Sequence, residues 1–213
     1  PDLQSVSKNK CRIFWVRKRQ LNEALMHAWS MQDAPRLLDT TGFISRPGIF
    51  AWNRIDAASK LLAGYLPEDL SGRGADFGAG FGYLAHAVLM RNKNIEAMDI
   101  FEAEARALEC ARLNLARFET ATKLAYHWQD VTQGIKGLYD FVVSNPPFHA
   151  GHAEVQAIGQ AFINVAAESL RPGGRFYMVA NRHLPYEESL RNHFSSIEVL
   201  AVEDGYKVFK AVR

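Results

Sequence analysis

From residue 50 onward the chain alternates between two kinds of segment, and this alternation restricts its fold more than any other feature. Short runs at 74–77, 95–100, 123–128, 139–144, 175–180, 197–202 and 206–212 have the length and apolar character of strands. Segments 83–91, 102–117, 153–170 and 187–194 have the length and composition of helices. A further helix runs from an Asn53 cap to about residue 66, with Ile55, Ala58, Leu61, Leu62 and Tyr65 facing inward. Such alternation predicts an α/β fold, a seven-stranded, mostly parallel sheet with helices on both faces. Glu203-Asp204-Gly205 joins the last two runs as a hairpin turn, so the final strand is antiparallel. In open sheets of this kind ligands lie beyond the carboxyl ends of the strands.

The 213 residues suit one compact domain with an extension. Residues 1–45 read as a basic N-terminal extension or interdomain linker with a strand at 11–16 and a helix at 21–31, and 46–213 as the main domain. Residues 1–20 hold six bases against Asp2, so +5; the net +2 leaves 19 bases and 22 acids, so −3, for the rest. The main domain is therefore no strong attractor of polyanions, while the extension could meet RNA. Cys11 and Cys110 stand far apart without a Cys or His at ligand spacing, which argues against a disulfide framework or a metal site and for a cytoplasmic chain. No run approaches the roughly 18 apolar residues of a membrane span. The sequence opens on Pro1 rather than Met, as a processed chain or a piece of a longer one would. Trp15, Trp29, Trp52 and Trp128 are expected to anchor the core rather than to stack on ligands.

The first strand of the main domain ends in Asp76-Phe-Gly78-Ala-Gly80-Phe-Gly82. Glycines let a backbone turn sharply and approach a ligand closely. A dinucleotide turn has Gly-x-Gly-x-x-Gly, but here Tyr83 stands where the third glycine would fall, which disfavours an NAD-dependent dehydrogenase. Asp76 would oppose a pyrophosphate and suits an ammonium group. Asp99 closes the second strand 17 residues after Gly82, where it can accept from ribose hydroxyls or cap the next helix. Asp130 closes the third, where it can accept from an adenine amine or be an ordinary loop acid. Adenine, ribose and a cationic group together describe S-adenosylmethionine better than NAD or ATP.

The fourth strand ends in Ser144-Asn145-Pro146-Pro147-Phe148-His149. Two prolines fix φ and remove two donors, so the loop is stiff. The Asn145 side chain and the Pro146 carbonyl can accept both hydrogens of an –NH₂ group and aim its lone pair at a methyl donor. Phe148 can stack on a planar ring. Methyl transfer to such an amine needs positioning and electrostatics more than a strong base. The alternative is a proline-rich turn with no ligand.

The set 76–82, Asp99, Asp130 and 145–148 resembles class I S-adenosylmethionine-dependent methyltransferases acting on planar nitrogen, which implies a Rossmann-like fold. With Ser45-Arg-Pro-Gly48-Ile-Phe50, Arg54-Ile-Asp56, Val179-Ala-Asn181-Arg-His-Leu-Pro185-Tyr186 and Gly205-Tyr-Lys207-Val, residues 45–213 resemble the bacterial 16S ribosomal RNA guanine-N2 methyltransferases of the RsmC type. The resemblance implies S-adenosylmethionine as cofactor, S-adenosylhomocysteine as product, guanine N2 as acceptor, and 16S rRNA or the 30S subunit as partner, with no metal and no membrane. It places Asp76, Gly78, Ala79 and Gly80 at the methionine and ribose side, Asp99 and Ile100 at the ribose, Asp130 and Val131 at the adenine, and Asn145 beside the cofactor. It assigns catalysis to Asn145, Pro146 and Phe148, and the base to Pro147, Phe148, His149 and Asn181. Family members typically carry two tandem domains, so a missing N-terminal domain is a further expected partner.

Three other readings stay open. A protein glutamine N-methyltransferase uses the same loop but usually has Tyr where Phe148 stands; the others are a DNA adenine methyltransferase and a non-catalytic RNA-binding fragment that keeps the fold. His149, His152, His183 and Tyr186 are candidates for the rim of a base pocket, and Lys207 for an RNA phosphate contact, although a structural or solvated role is the plainer expectation for each.

Overall fold

A computed structural model describes residues 3–9, 11–17, 19–147 and 152–213, with backbone alone at 152–155. The chain divides into two compact units, Pro1–Ala34 and Pro35–Arg213. In the first, β1 (Gln4–Lys8) and β2 (Cys11–Trp15) form an antiparallel hairpin with Val6 opposite Ile13. A helix, α1 (Glu23–Asp33), follows, and Asn22 caps it by accepting from the Leu25 N–H at 3.0 Å.

The second unit opens with β3 (Arg36–Leu38) and β4 (Phe43–Ser45), a hairpin in the stretch that the sequence pattern assigns to the extension. It belongs to this unit because the Asn114 side chain grips Ile44 on both sides, at 2.7 and 2.8 Å. Then come α2 (Ala57–Tyr65), β5 (Ser71–Phe77), α3 (Tyr83–Arg91), β6 (Asn94–Glu102), α4 (Ala105–Leu115), β7 (Lys123–Trp128), β8 (Tyr139–Ser144), α5 (His152–Ser169), β9 (Leu170–Asn181), α6 (Tyr186–His193), β10 (Ser196–Glu203) and β11 (Tyr206–Val212). The sheet has seven strands in the order β10-β11-β9-β8-β5-β6-β7. The inner pairs are parallel, and β11 runs antiparallel to both β9 and β10, as the Asp-Gly turn predicts. This is a Rossmann-like α/β architecture.

Helices cover both faces because the central strands β5, β6, β8 and β9 are buried on both sides. On β6, Met98 and Ile100 face the cluster built with α2, α3 and α4, while Phe101 faces the cluster built with α5 and α6. The start of α2 differs from expectation. Asp56, not Asn53, is the cap, because its carboxylate accepts from the Ser59 N–H at 2.9 Å while Ala51, with φ of 50°, still belongs to a turn.

Three of the four tryptophans are not core anchors. Trp15, Trp29 and Trp128 are 48%, 64% and 73% exposed, and Trp52 is half-buried. For Trp128 the reason is topological: it closes the edge strand, and only a 3-10 turn, Val131–Gln133, follows before β8. Its indole N–H donates to the Ala103 carbonyl at 2.9 Å. No described helix is long and apolar enough to cross a membrane.

Candidate functional site

The carboxyl ends of β5, β6, β7 and β8 lie side by side, so the loops that follow them converge. After β5 the chain folds back over β6: the Gly78 and Ala79 N–H groups donate to the Phe101 carbonyl at 2.9 and 3.0 Å. Gly80 has φ of 56°, and a Cβ there would meet nothing within 4 Å, so the backbone at this point borders open space. Gly82 has φ of 88° and would place a Cβ 3.2 Å from that of Ala111; only glycine lets α3 start this close to α4.

Two cavities flank the loop. The larger, about 420 Å³, is lined by Gly78, Gly80, Phe101, Glu102, Gln129, Asp130, Val131, Asn145, Pro146, Pro147, Ile158 and Phe162, among others. Its volume suits a cofactor-sized ligand, for which roughly 300–1,000 Å³ is usual. The smaller, about 50 Å³, is lined by Asp56, Ser59, Gly78, Ala79, Gly80 and Asn145, among others. Half-exposed Phe50 borders both.

Among the described residues no Lys, Arg or His lines either cavity, whereas Asp56, Glu102 and Asp130 do. A pyrophosphate would find acids instead of cations there. A ligand with hydroxyls, an apolar ring and positive charge finds acceptors, an apolar wall and a negative field. The lining therefore fits S-adenosylmethionine, with acceptor oxygens on Glu102 and Asp130, an apolar wall of Val131, Ile158 and Phe162, and open backbone at Gly80.

The acid at the end of β6 is Glu102, not Asp99. The register sets Asp99 opposite Ala75, two residues short of the Phe77–Phe101 pair that ends the β5–β6 ladder. Asp99 is buried and committed: it accepts from the Arg73 Nε at 2.8 Å and pairs with the His127 Nε2 at 2.7 Å. Ile100 points into the core beneath α3 and α4. Neither borders the cavities, whereas Glu102 does, and its Oε2 accepts from the Gly80 N–H at 2.7 Å. The sequence signal was the spacing, since Glu102 stands 20 residues after Gly82, close to the separation usual for a ribose acid.

Asp76 lies fully buried beneath the loop, where its Oδ2 accepts from the Ala85 N–H at 2.9 Å and its Oδ1 has no partner among the described residues. Burial, with the nearby Glu102 charge adding to it against the Ala85 hydrogen bond, pushes its carboxyl up to about 7. Asp130 borders the larger cavity and caps the 3-10 turn, accepting from the Thr132 N–H at 2.9 Å.

Asn145 borders both cavities. Its Nδ2 donates to Asp56 Oδ2 at 2.9 Å and to Ser59 Oγ at 2.8 Å. Its Oδ1 is buried without a partner among the described residues. A buried acceptor left over in this way is costly unless a ligand donor satisfies it. Pro146 and Pro147 line the larger cavity. Phe148 and His149, and the His152 side chain, lie outside the described residues. Asn181 and His183 border neither cavity, and Tyr186 is wholly buried in the core, with its ring against Gly159. Lys207 donates to Glu187. Asp56, Ser59 and Glu102 thus line the site without a role assigned from the sequence, although Asp56 closes the Arg54-Ile-Asp56 segment of the resemblance. No three His, Cys, Asp or Glu among the described residues are grouped to hold a metal ion.

A Rossmann-like sheet with a glycine turn over a cavity lined by acids and, among the described residues, by no cation, and with Asn-Pro-Pro on the neighbouring strand, is the arrangement of the class I S-adenosylmethionine-dependent methyltransferase fold. The chain belongs to the methyltransferase small domain family, whose profile matches residues 40–210. Ribosomal RNA small subunit methyltransferase C of Shewanella sediminis is 37% identical over 162 residues, 76% of this chain and 46% of that protein. The Shewanella pealeana protein of the same name is 36% identical over 167 residues, 78% of this chain and 48% of its own. The chain thus spans about half the length of the curated relatives it matches. The solved structure of the T. thermophilus 16S rRNA N2 G1207 methyltransferase (RsmC), in complex with AdoMet and guanosine, superposes with a TM-score of 0.69 at 28% identity, over 99% of this chain and 50% of that one.

Proposed function

We propose that this chain transfers the methyl group of S-adenosylmethionine to the exocyclic N2 amine of a guanine in 16S ribosomal RNA, alone or within the 30S subunit. One observation carries the reading: at the end of β8 a rigid Asn-Pro-Pro segment holds a buried amide oxygen, without a partner among the described residues, on the wall of both cavities. The T. thermophilus relative, solved with AdoMet and guanosine, supports the choice of amine.

The bound cofactor supplies an electrophilic methyl group. Gly78, Ala79 and Gly80 hold its amino-acid side through the backbone above buried Asp76, Glu102 takes the ribose role in place of Asp99, and Asp130 and Val131 flank the adenine. The Asn145 Oδ1 and the Pro146 carbonyl each accept one N2 hydrogen. They aim the lone pair and favour the positive charge that develops on nitrogen as the nitrogen–methyl bond forms and the methyl–sulfur bond breaks, after which the methylated amine gives one hydrogen to solvent as a proton. Pro147, with Phe148 beyond it, supports the base. A guanine N2 is weakly basic, so this acceptor pair contributes more than a general base would.

Transfer of tritiated methyl from S-adenosylmethionine to 30S subunits, release-factor protein and DNA tests the proposal. Labelling of 30S is expected, with a loss of roughly 100-fold in Asn145→Ala, the scale of one preorganised polar contact, and with cofactor binding retained by calorimetry. Labelling of protein or DNA instead would favour glutamine or adenine as acceptor. RNA binding without turnover, indifferent to Asn145→Ala, would leave a non-catalytic RNA-binding role.

A further inference from the structure

We infer that Asp56 and Ser59 are positioning residues that set which way round the Asn145 amide stands, and that this orientation controls methyl transfer; the second half rests on the reading of Asn145 as the acceptor for the amine. A planar amide can occupy its slot in two orientations of nearly equal shape. They differ in chemistry, since one presents an oxygen to the cavity and the other an –NH₂. A substrate amine donates, so only the first is productive.

The choice is made on the far side of the amide. Asp56 Oδ2 lies 2.9 Å and Ser59 Oγ 2.8 Å from Nδ2, so both amide hydrogens are used. A carboxylate accepts and cannot donate. Turned over, the amide would set oxygen against oxygen at Asp56 and offer two donors to a substrate that has only donors there. The same Oδ2 also accepts from the Ser59 N–H at 2.9 Å and so caps α2, a helix whose Ser59 and Leu62 are buried. The amide is thereby referenced to a packed helix 86 and 89 residues away in sequence, not to a mobile side chain. All three residues border the small cavity beside Gly78 and Gly80, where the cofactor loop and the amine acceptor meet.

Three variants separate orientation from helix stability. Asp56→Asn keeps both the cap and an acceptor oxygen. Asp56→Ser caps about as well as Asp but is too short to reach Asn145. Ser59→Ala keeps the cap and removes the second acceptor. The readouts are hydrogen exchange of the Asn145 side-chain amide by nitrogen-15 NMR, the cofactor Kd by calorimetry, and kcat on 30S subunits. Asp56→Asn, which keeps the cap but adds an –NH₂ that can donate to a turned amide, is expected to fall between the wild type and Asp56→Ser. In Asp56→Ser and Ser59→Ala the amide is expected to exchange about tenfold faster or more and kcat to fall by a similar factor, as loss of one such hydrogen bond implies, with the cofactor Kd unchanged within about twofold. An unprotected Asn145 amide in the wild type, or a full kcat in both Asp56→Ser and Ser59→Ala, overturns the inference. A wild type that protects the amide but methylates nothing leaves the orientation standing and removes the proposed reaction and the control of it.

Discussion

Asp76 offers a test of the site that needs no substrate. Its carboxyl is fully buried, accepts from the Ala85 N–H, and is pushed from the ordinary 3.8 up to about 7. Between these values the folded chain keeps a proton that the unfolded chain has lost. The neutral acid therefore stabilises the fold fully below pH 4, and that stability is lost as pH rises to about 7. A separation of about 3 pH units, at about 1.4 kcal/mol each, makes the swing about 4 kcal/mol. Asp76→Asn keeps an oxygen for the Ala85 N–H and does not titrate. Other groups cancel when the two proteins are compared, so the quantity to measure is their difference in unfolding free energy by urea, without ligand, from pH 4.5 to 8. The wild type should lose ground to Asp76→Asn steadily up to about pH 7 and then run parallel to it. Glu102→Gln, by removing the neighbouring negative charge, should move the upper end of that window to lower pH. A difference that stays flat across the range, or that grows in favour of the wild type as pH rises, would show that Asp76 is ionised within the fold and refute the argument.

Further outcomes follow from the same geometry. Glu102→Ala should weaken S-adenosylmethionine binding by about 10- to 100-fold in calorimetry, the loss expected for hydrogen bonds to a charged acceptor. Asp99→Asn should leave that affinity nearly unchanged and instead lower stability by about 1–3 kcal/mol through its Arg73 and His127 contacts; the opposite pattern would return the ribose role to Asp99. Gly159→Ala should lower the thermal midpoint, because the new Cβ would lie 2.0 Å from the Tyr186 hydroxyl in the core. An overpacking cost of about 1–3 kcal/mol exceeds the helix gain of about 1 kcal/mol, and a raised midpoint would count against the close packing of α5 on α6.

The strand–helix alternation, the glycine turn after β5, the Asn-Pro-Pro segment after β8 and the closing Asp-Gly hairpin were all legible in the residues. Each is a local property: side-chain periodicity, a backbone that only glycine adopts readily, or a φ that proline fixes. Tertiary structure decided the rest. Asp99 and Glu102 are both acids near the end of the same strand, and the β5–β6 register places Asp99 inside the sheet while Glu102 lies past the last pair of that ladder. Trp128 reads as a core residue by composition, but it closes the edge strand of the sheet and is exposed. The hold of Asp56 and Ser59 on Asn145 joins segments nearly 90 residues apart. Local chemistry set the elements and punctuated their ends, whereas the direction of one amide oxygen, on which the proposed reaction turns, follows from a helix cap that only the folded chain brings beside it.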